Sequence, residues 1–174
     1  MGGEKLTRRF RSGTILDAVL DACSGYPTVV VGTSAVVESI ARPSTPHLRC
    51  YARDDTQGMA HSLRLANAVI PAEHAIAVLL ADKPLVTAEL IERVIAGLGD
   101  ADVAFPQRDG VPGHPVVFSP IARALIIGLP DGDSIHLVRD NDFLERRALE
   151  IDDAGAYVDV DTEEEYRTLI NDSK

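Results

Sequence analysis

Residues 76–87, IAVLLADKPLVT, decide the fold. Residues 76–80 form an apolar, partly β-branched run without helical period, the pattern of a strand covered on both faces. Pro84 ends it, because a residue without an N–H cannot donate to a ladder. Thr87 then offers a hydroxyl to cap a helix starting at Ala88. Between strand and helix stands Asp82, a carboxylate at the mouth of a buried strand. Such a charge is costly unless it is used, and a bound cation is the first use to consider.

The same alternation runs outward in both directions. Thr14, with Asp17 three residues on, is a capping pair for a helix with Ile15, Val19 and Ala22 on its apolar stripe, ended by Gly25. Residues 28–31 read as a short buried strand, 36–41 as a helix capped by Ser34, 43–46 as a turn and 48–51 as a strand. Residues 58–70 read as a helix, and 87–98 as an amphipathic one with Leu90, Ile91, Val94 and Ile95 inward. Strands are expected at 103–105, 114–118 and 157–159, and helices at 121–128, 134–145 and 162–171. Short buried strands alternating with amphipathic helices define an α/β fold. It has three layers, a mainly parallel twisted sheet with helices on both faces. In such sheets ligands sit at the carboxyl ends of the strands, where Asp82 falls.

The bulk numbers bound the rest. At 174 residues the chain reads as one domain, 1–174, with a single buried core. No apolar run approaches the roughly 20 residues that span a bilayer, and MGGEKLTRRF lacks the apolar heart of a signal peptide. Cys23 and Cys50 have no metal-site spacing and read as reduced thiols, so the cytoplasm is the expected compartment. With 27 acidic against 17 basic residues, the net charge of −10 disfavours nucleic acid and anionic membrane as partners. The charge is uneven: Lys5, Arg8, Arg9 and Arg11 make a basic start, and residues 152–165 are strongly acidic. The basic start suits either a solvated face or a local anion site.

Three stretches carry candidate chemistry. Asp82 is the first. In the second, VDVDTEEEY, Asp159 and Asp161 flank Val160, so on an extended chain their side chains share one face. With Asp82 opposite, two or three carboxylates could share Mg²⁺, which prefers oxygen ligands. Asp161 equally suits a cap of the last helix, and Asp159 a solvated position. In the third, DGVPGHPVVFS, Gly113 and Pro115 bracket His114 in a tight turn that presents an imidazole at a strand start.

In their order along the chain these pieces resemble the MobA-like NTP transferase family, closest to its molybdenum cofactor cytidylyltransferases. Met1 to Lys5 is similar to the tail of the family's signature L-A-A-G-x-S-x-R-M-G-x-x-K. Gly58, Met59, Ser62 and Leu63 resemble G-M-x-x-S-L, and residues 80–87 resemble L-x-D-x-P-L-V-T. Residues 113–118 resemble the G-H-P-V-x-F of the cytidylyltransferase branch, and 159–162 resemble D-I-D-T. The resemblance implies a Rossmann-like nucleotidyltransferase fold and transfer of a nucleoside monophosphate from an NTP to a phosphorylated acceptor. CTP is favoured over GTP as donor, molybdopterin is the expected acceptor, and a molybdoenzyme or maturation factor is a possible partner. It further implies Mg²⁺ (or Mn²⁺) held by Asp82, Asp159 and Asp161, with Lys5 and Asp82 catalytic. Gly2, Gly3, Lys5, Gly58, Met59, Ser62, Lys83 and His114 are expected to line the nucleotide and acceptor.

Two departures stand out. Lys83 replaces the usual Met or Gln, so its ammonium could contact phosphate or pair with Asp82. The chain also begins past the family's first strand and L-A-A-G-x-S-x-R loop, which implies an N-terminally incomplete domain. That strand would lie inside the sheet, and each buried backbone group left unpaired would cost about 1–3 kcal/mol. Neighbouring strands closing up, or another chain in the slot, are the other ways to accommodate its loss. The rival functions are a noncatalytic transferase-like binding module and guanylyl transfer to a different acceptor.

Overall fold

The computed structural model describes residues 3–40, 47–51 and 58–172. Within residues 76–87, Ile76–Val78 form β5, which pairs antiparallel with β8 (Val116–Phe118). β8 pairs antiparallel with β6 (Val103–Arg108), and β9 (Arg146–Glu150) lies parallel on the far side of β6. A short arm, β7 (Val111–Pro112), folds back on the end of β6. β5, β6 and β9 therefore run one way, and β8 and the β7 arm oppose them.

Alternation along these strands builds the layers. Val103, Phe105, Val116 and Phe118 face one cluster with Ala60 and Leu63 of helix α3 (Gly58–Val69). Ala104 and Val117 face the other, with Leu90, Ile91 and Val94 of α4 (Ala88–Leu98) and Val19 of α1 (Ile15–Ala22). Helices thus cover both faces, as the α/β reading requires. Each fully buried aliphatic side chain contributes about 2 kcal/mol.

β3 (Thr28–Gly32) and β4 (His47–Tyr51) form a parallel pair of their own, beside α2 (Ser34–Glu38). Among the described residues no ladder joins β3 to β5, so these strands do not close up on one another. β1 (Arg9–Phe10) and β2 (Gly13–Thr14) make a small hairpin that leads into α1. There Thr14 and Asp17 form the expected reciprocal cap. Thr87 caps α4 through the Leu90 amide at 3.1 Å.

Several local expectations change. β5 stops at Val78, because the Lys83 amide turns back to the Leu80 carbonyl at 3.3 Å. α2 starts at Ser34, so Ser34 is inside the helix and Thr33 is its N-cap. The helix expected at 134–145 shrinks to α6 (His136–Arg139). Beyond it the Asn141 side chain accepts from the Phe143 amide and Asp102 from the Glu145 amide, both competing with helical bonds. The chain then enters β9, which the sequence reading missed. Of the strand expected at 157–159, Tyr157 instead ends helix α7 (Ala154–Tyr157), capped by Asp153, and residues 158–159 join no ladder. The turn expected at 43–46 lies outside the described residues. α5 (Pro120–Ala124) and α8 (Glu163–Asp172) complete the order, and no helix among the described residues is long and apolar enough to cross a membrane.

Candidate active site

Asp82 follows β5 in a turn, and Asp161 stands two residues before the helix α8. Lys5, in a 3-10 turn at Gly3–Thr7, lies between them. Its Nζ donates to Asp82 Oδ2 at 2.8 Å and to Asp161 Oδ1 at 2.6 Å. Burial alone would lower the Lys5 pKa, but the hydrogen bonds to Asp161 and Asp82 outweigh it and hold the ammonium above its ordinary 10.5. The hydrogen bond from Lys5, reinforced by its charge, holds the Asp161 carboxyl below its ordinary 3.8. The second Asp82 oxygen, Oδ1, is buried without a hydrogen-bond partner. A buried carboxylate oxygen left unpaired is an exception, shared by Asp17 Oδ1, and such an oxygen can accept from a water or bind a cation.

The segment behind Asp161 is tied to the Asp82 turn. The Val160 amide donates to the Asp82 carbonyl at 3.0 Å. Lys83 is buried, donates to the Tyr157 carbonyl at 2.9 Å and sits 3.6 Å from Asp159 Oδ2. Lys83 thus pairs with Asp159 rather than with Asp82. Asp159 and Asp161 meet different lysines, Lys83 and Lys5, so they do not share one face as the sequence suggested, and residues 158–161 belong to no ladder.

His114 is bound through its backbone amide to the Ala156 carbonyl at 2.9 Å and shares a narrow cleft with Leu80, Lys83, Pro115 and Gly155. Burial pushes its imidazole down from 6.5 to about 4. The Val78 carbonyl, 3.5 Å from Nδ1, opposes this and favours a proton on Nδ1, since a carbonyl can only accept.

Gly58 opens α3 at φ +73°, and a Cβ there would lie 3.3 Å from Gly132 Cα, so it packs on the 130–133 turn. Met59 packs against the cluster around Phe105, and Ser62 is half-buried on α3. Gly3 starts the turn that carries Lys5, and Gly2 lies outside the described residues. Sequence reasoning missed Tyr157, whose carbonyl receives Lys83, and Gly155, where a Cβ would lie 2.5 Å from the Leu85 carbonyl oxygen. The Asp153 cap three residues before Ala156 was the legible signal for that turn of helix.

The donor set suits a divalent cation: two charged hard-oxygen ligands, one with a free lone pair. Among the described residues no three His, Cys, Asp or Glu gather as one metal group. The protein would therefore supply two carboxylates, a common arrangement for Mg²⁺, which keeps several waters or substrate oxygens.

A three-layer α/β fold with acidic groups and a lysine converging beyond a strand's carboxyl end suits the binding of a phosphorylated ligand with a cation. A model of the MobA-like NTP transferase domain matches residues 1–147, and the chain belongs to that family. No curated protein matches the sequence. Among solved structures, Rv0371c from Mycobacterium tuberculosis H37Rv is 26% identical, with a TM-score of 0.81 over 98% of this chain and 90% of that one. A complex of Rv0371c with manganese, also 26% identical, gives a TM-score of 0.80 over 98% and 93%. Molybdopterin-guanine dinucleotide biosynthesis protein A from Archaeoglobus fulgidus shares the fold at 14% identity, with a TM-score of 0.69 over 97% and 89%.

Proposed function

We propose that this protein transfers CMP from CTP to a phosphorylated acceptor, molybdopterin first among candidates, and releases pyrophosphate. The observation that carries the reading is the meeting of Asp82 and Asp161 on one ammonium, with Asp82 Oδ1 left unpartnered. The manganese complex of the 26%-identical Rv0371c supports a divalent ion as the natural occupant. CTP is preferred to GTP on the strength of the G-H-P-V-x-F resemblance at 113–118.

In the reaction, an oxygen of the acceptor's phosphate attacks the α-phosphorus of CTP. The bond from that phosphorus to the α,β-bridging oxygen breaks, and pyrophosphate leaves with the electron pair. Such transfers are catalysed mainly by positioning and charge neutralisation. Asp82 and Asp161 would hold Mg²⁺ or Mn²⁺, which would supply positive charge to the phosphate oxygens. Lys5, a compact cation on a flexible stem, turns from the carboxylates to the triphosphate. His114, neutral at pH 7, accepts a hydrogen bond at Nε2 and so selects an acceptor that presents an N–H or O–H. Asp159, engaged by Lys83, supports the loop rather than the ion.

The test is pyrophosphate release with Mg²⁺, molybdopterin and either CTP or GTP. Release with CTP at least tenfold faster than with GTP is expected. Faster release with GTP would substitute guanylyl transfer. Nucleotide binding without any release would leave a noncatalytic module and overturn the proposal.

A further inference from the structure

We infer that Lys83 is a positioning residue that clamps the 157–161 segment onto the Asp82 turn and so brings Asp161 to Asp82. The inference rests on the reading above of that pair as the ion-binding carboxylates, and assigns Lys83 a role distinct from phosphate contact.

Three observations support it. First, Lys83 is only 6% exposed, and a buried ammonium is retained where it is paired. Its partners, the Tyr157 carbonyl at 2.9 Å and Asp159 Oδ2 at 3.6 Å, both belong to the segment leading to Asp161. Second, the clamp has a backbone twin in the Val160 amide on the Asp82 carbonyl at 3.0 Å. Residues 82 and 83 thus grip 157, 159 and 160 in sequence, and residue 161 is left facing the Asp82 side chain. Third, the two stretches approach closely one step upstream, where the missing side chain of Gly155 admits the Leu85 carbonyl. Asp161 has a side chain 61% exposed; Lys5 binds its carboxylate and Glu165 Oε2 accepts from its amide at 2.8 Å, but residues 158–161 lie in no ladder, so the link back to the Asp82 turn runs through the Lys83 and Val160 contacts. An exposed carboxylate on an extended segment needs such an anchor to keep its geometry, and groups that orient ligands typically alter metal affinity 10–100-fold when removed.

The experiment titrates Mn²⁺ alone by calorimetry into the full chain and its variants, with amide exchange followed by NMR. Lys83→Met is expected to weaken Mn²⁺ binding 10–100-fold and to speed Val160 exchange at least tenfold, while the Val103 and Ala104 amides in β6 stay protected. Lys83→Arg is expected to restore most of the affinity. Asp159→Asn is expected to weaken binding severalfold in the native background and to add little in the Lys83→Met background, because it acts through Lys83. Unchanged Mn²⁺ affinity in Lys83→Met would overturn the clamp, as would fully additive losses, which would make Asp159 a direct ligand. Should the native chain bind no Mn²⁺, the functional reading fails instead, and Val160 exchange alone then decides the clamp. Should Lys83→Met not fold, the native and Asp159→Asn chains decide it: unchanged Val160 exchange in Asp159→Asn overturns it.

Discussion

Replacing Lys5 by Met removes a cation shared by Asp82 and Asp161. The two carboxylate oxygens lie within about 5.4 Å of each other, the sum of their 2.8 and 2.6 Å distances to Nζ. At an effective dielectric of about 20 their repulsion is about 3 kcal/mol, and less here because Asp161 is largely exposed. Asp82, with a side chain 24% exposed, also loses a charge-assisted hydrogen bond of about 2 kcal/mol. Together, after discounting the exposed partner, Lys5→Met should destabilise the fold by about 2 kcal/mol. For a chain of this length that lowers Tm by about 4–8 °C. Calorimetric melting in metal-free buffer measures it, and repetition with Mn²⁺ adds a second reading. Once Lys5 is gone the ion has no competitor, so Mn²⁺ should raise Tm more in the variant than in the native protein. An unchanged metal-free Tm, or equal Mn²⁺ shifts in the two proteins, would refute the reasoning.

Other expectations follow from neighbouring features. His114 is held down from 6.5 to about 4, so the unfolded chain binds a proton the folded chain refuses across that interval. Its contribution is complete above pH 6.5 and is lost as the pH falls toward 4, about 3 kcal/mol at most. Urea melts of His114→Gln should show a shallower loss of stability between pH 6.5 and 4 than native protein, and parallel curves would disprove it. Lys5, raised above 10.5, contributes stability that is present below 10.5 and disappears as the pH climbs through the folded value, so alkaline melts should part native protein from Lys5→Met only below that range. Gly155→Ala places a Cβ 2.5 Å from a backbone oxygen that cannot swing aside, and should cost about 1–3 kcal/mol in denaturant midpoints. Thr87→Ala removes the cap on the Leu90 amide and should cost about 1 kcal/mol by the same measurement.

What was legible in the sequence is what local chemistry specifies. The Thr14–Asp17 cap, the Thr87 cap and the apolar stripe of Leu90, Ile91 and Val94 depend on residues within a few positions of one another. β9 was not legible, because RRALE is mostly charged and becomes a strand through parallel pairing with β6, some forty positions away. The 157–159 stretch has strand-like residues, yet Asp153 caps a turn of helix that consumes Tyr157. Asp82 was conspicuous because a carboxylate ends an apolar run. Its meeting with Asp161 was expected from family order, whereas Lys5 as their shared partner, 77 and 156 positions away, had no local signature. Lys83 was noticed as a departure, but its burial and its carbonyl partner are properties of the folded chain.

The most direct measurement is an electron paramagnetic resonance titration of Mn²⁺ into the native protein, Asp82→Asn and Asp161→Asn. One site in the native chain, weakened at least tenfold by either substitution, is the predicted outcome. Native-like Mn²⁺ affinity in both variants would contradict a site built on these two carboxylates.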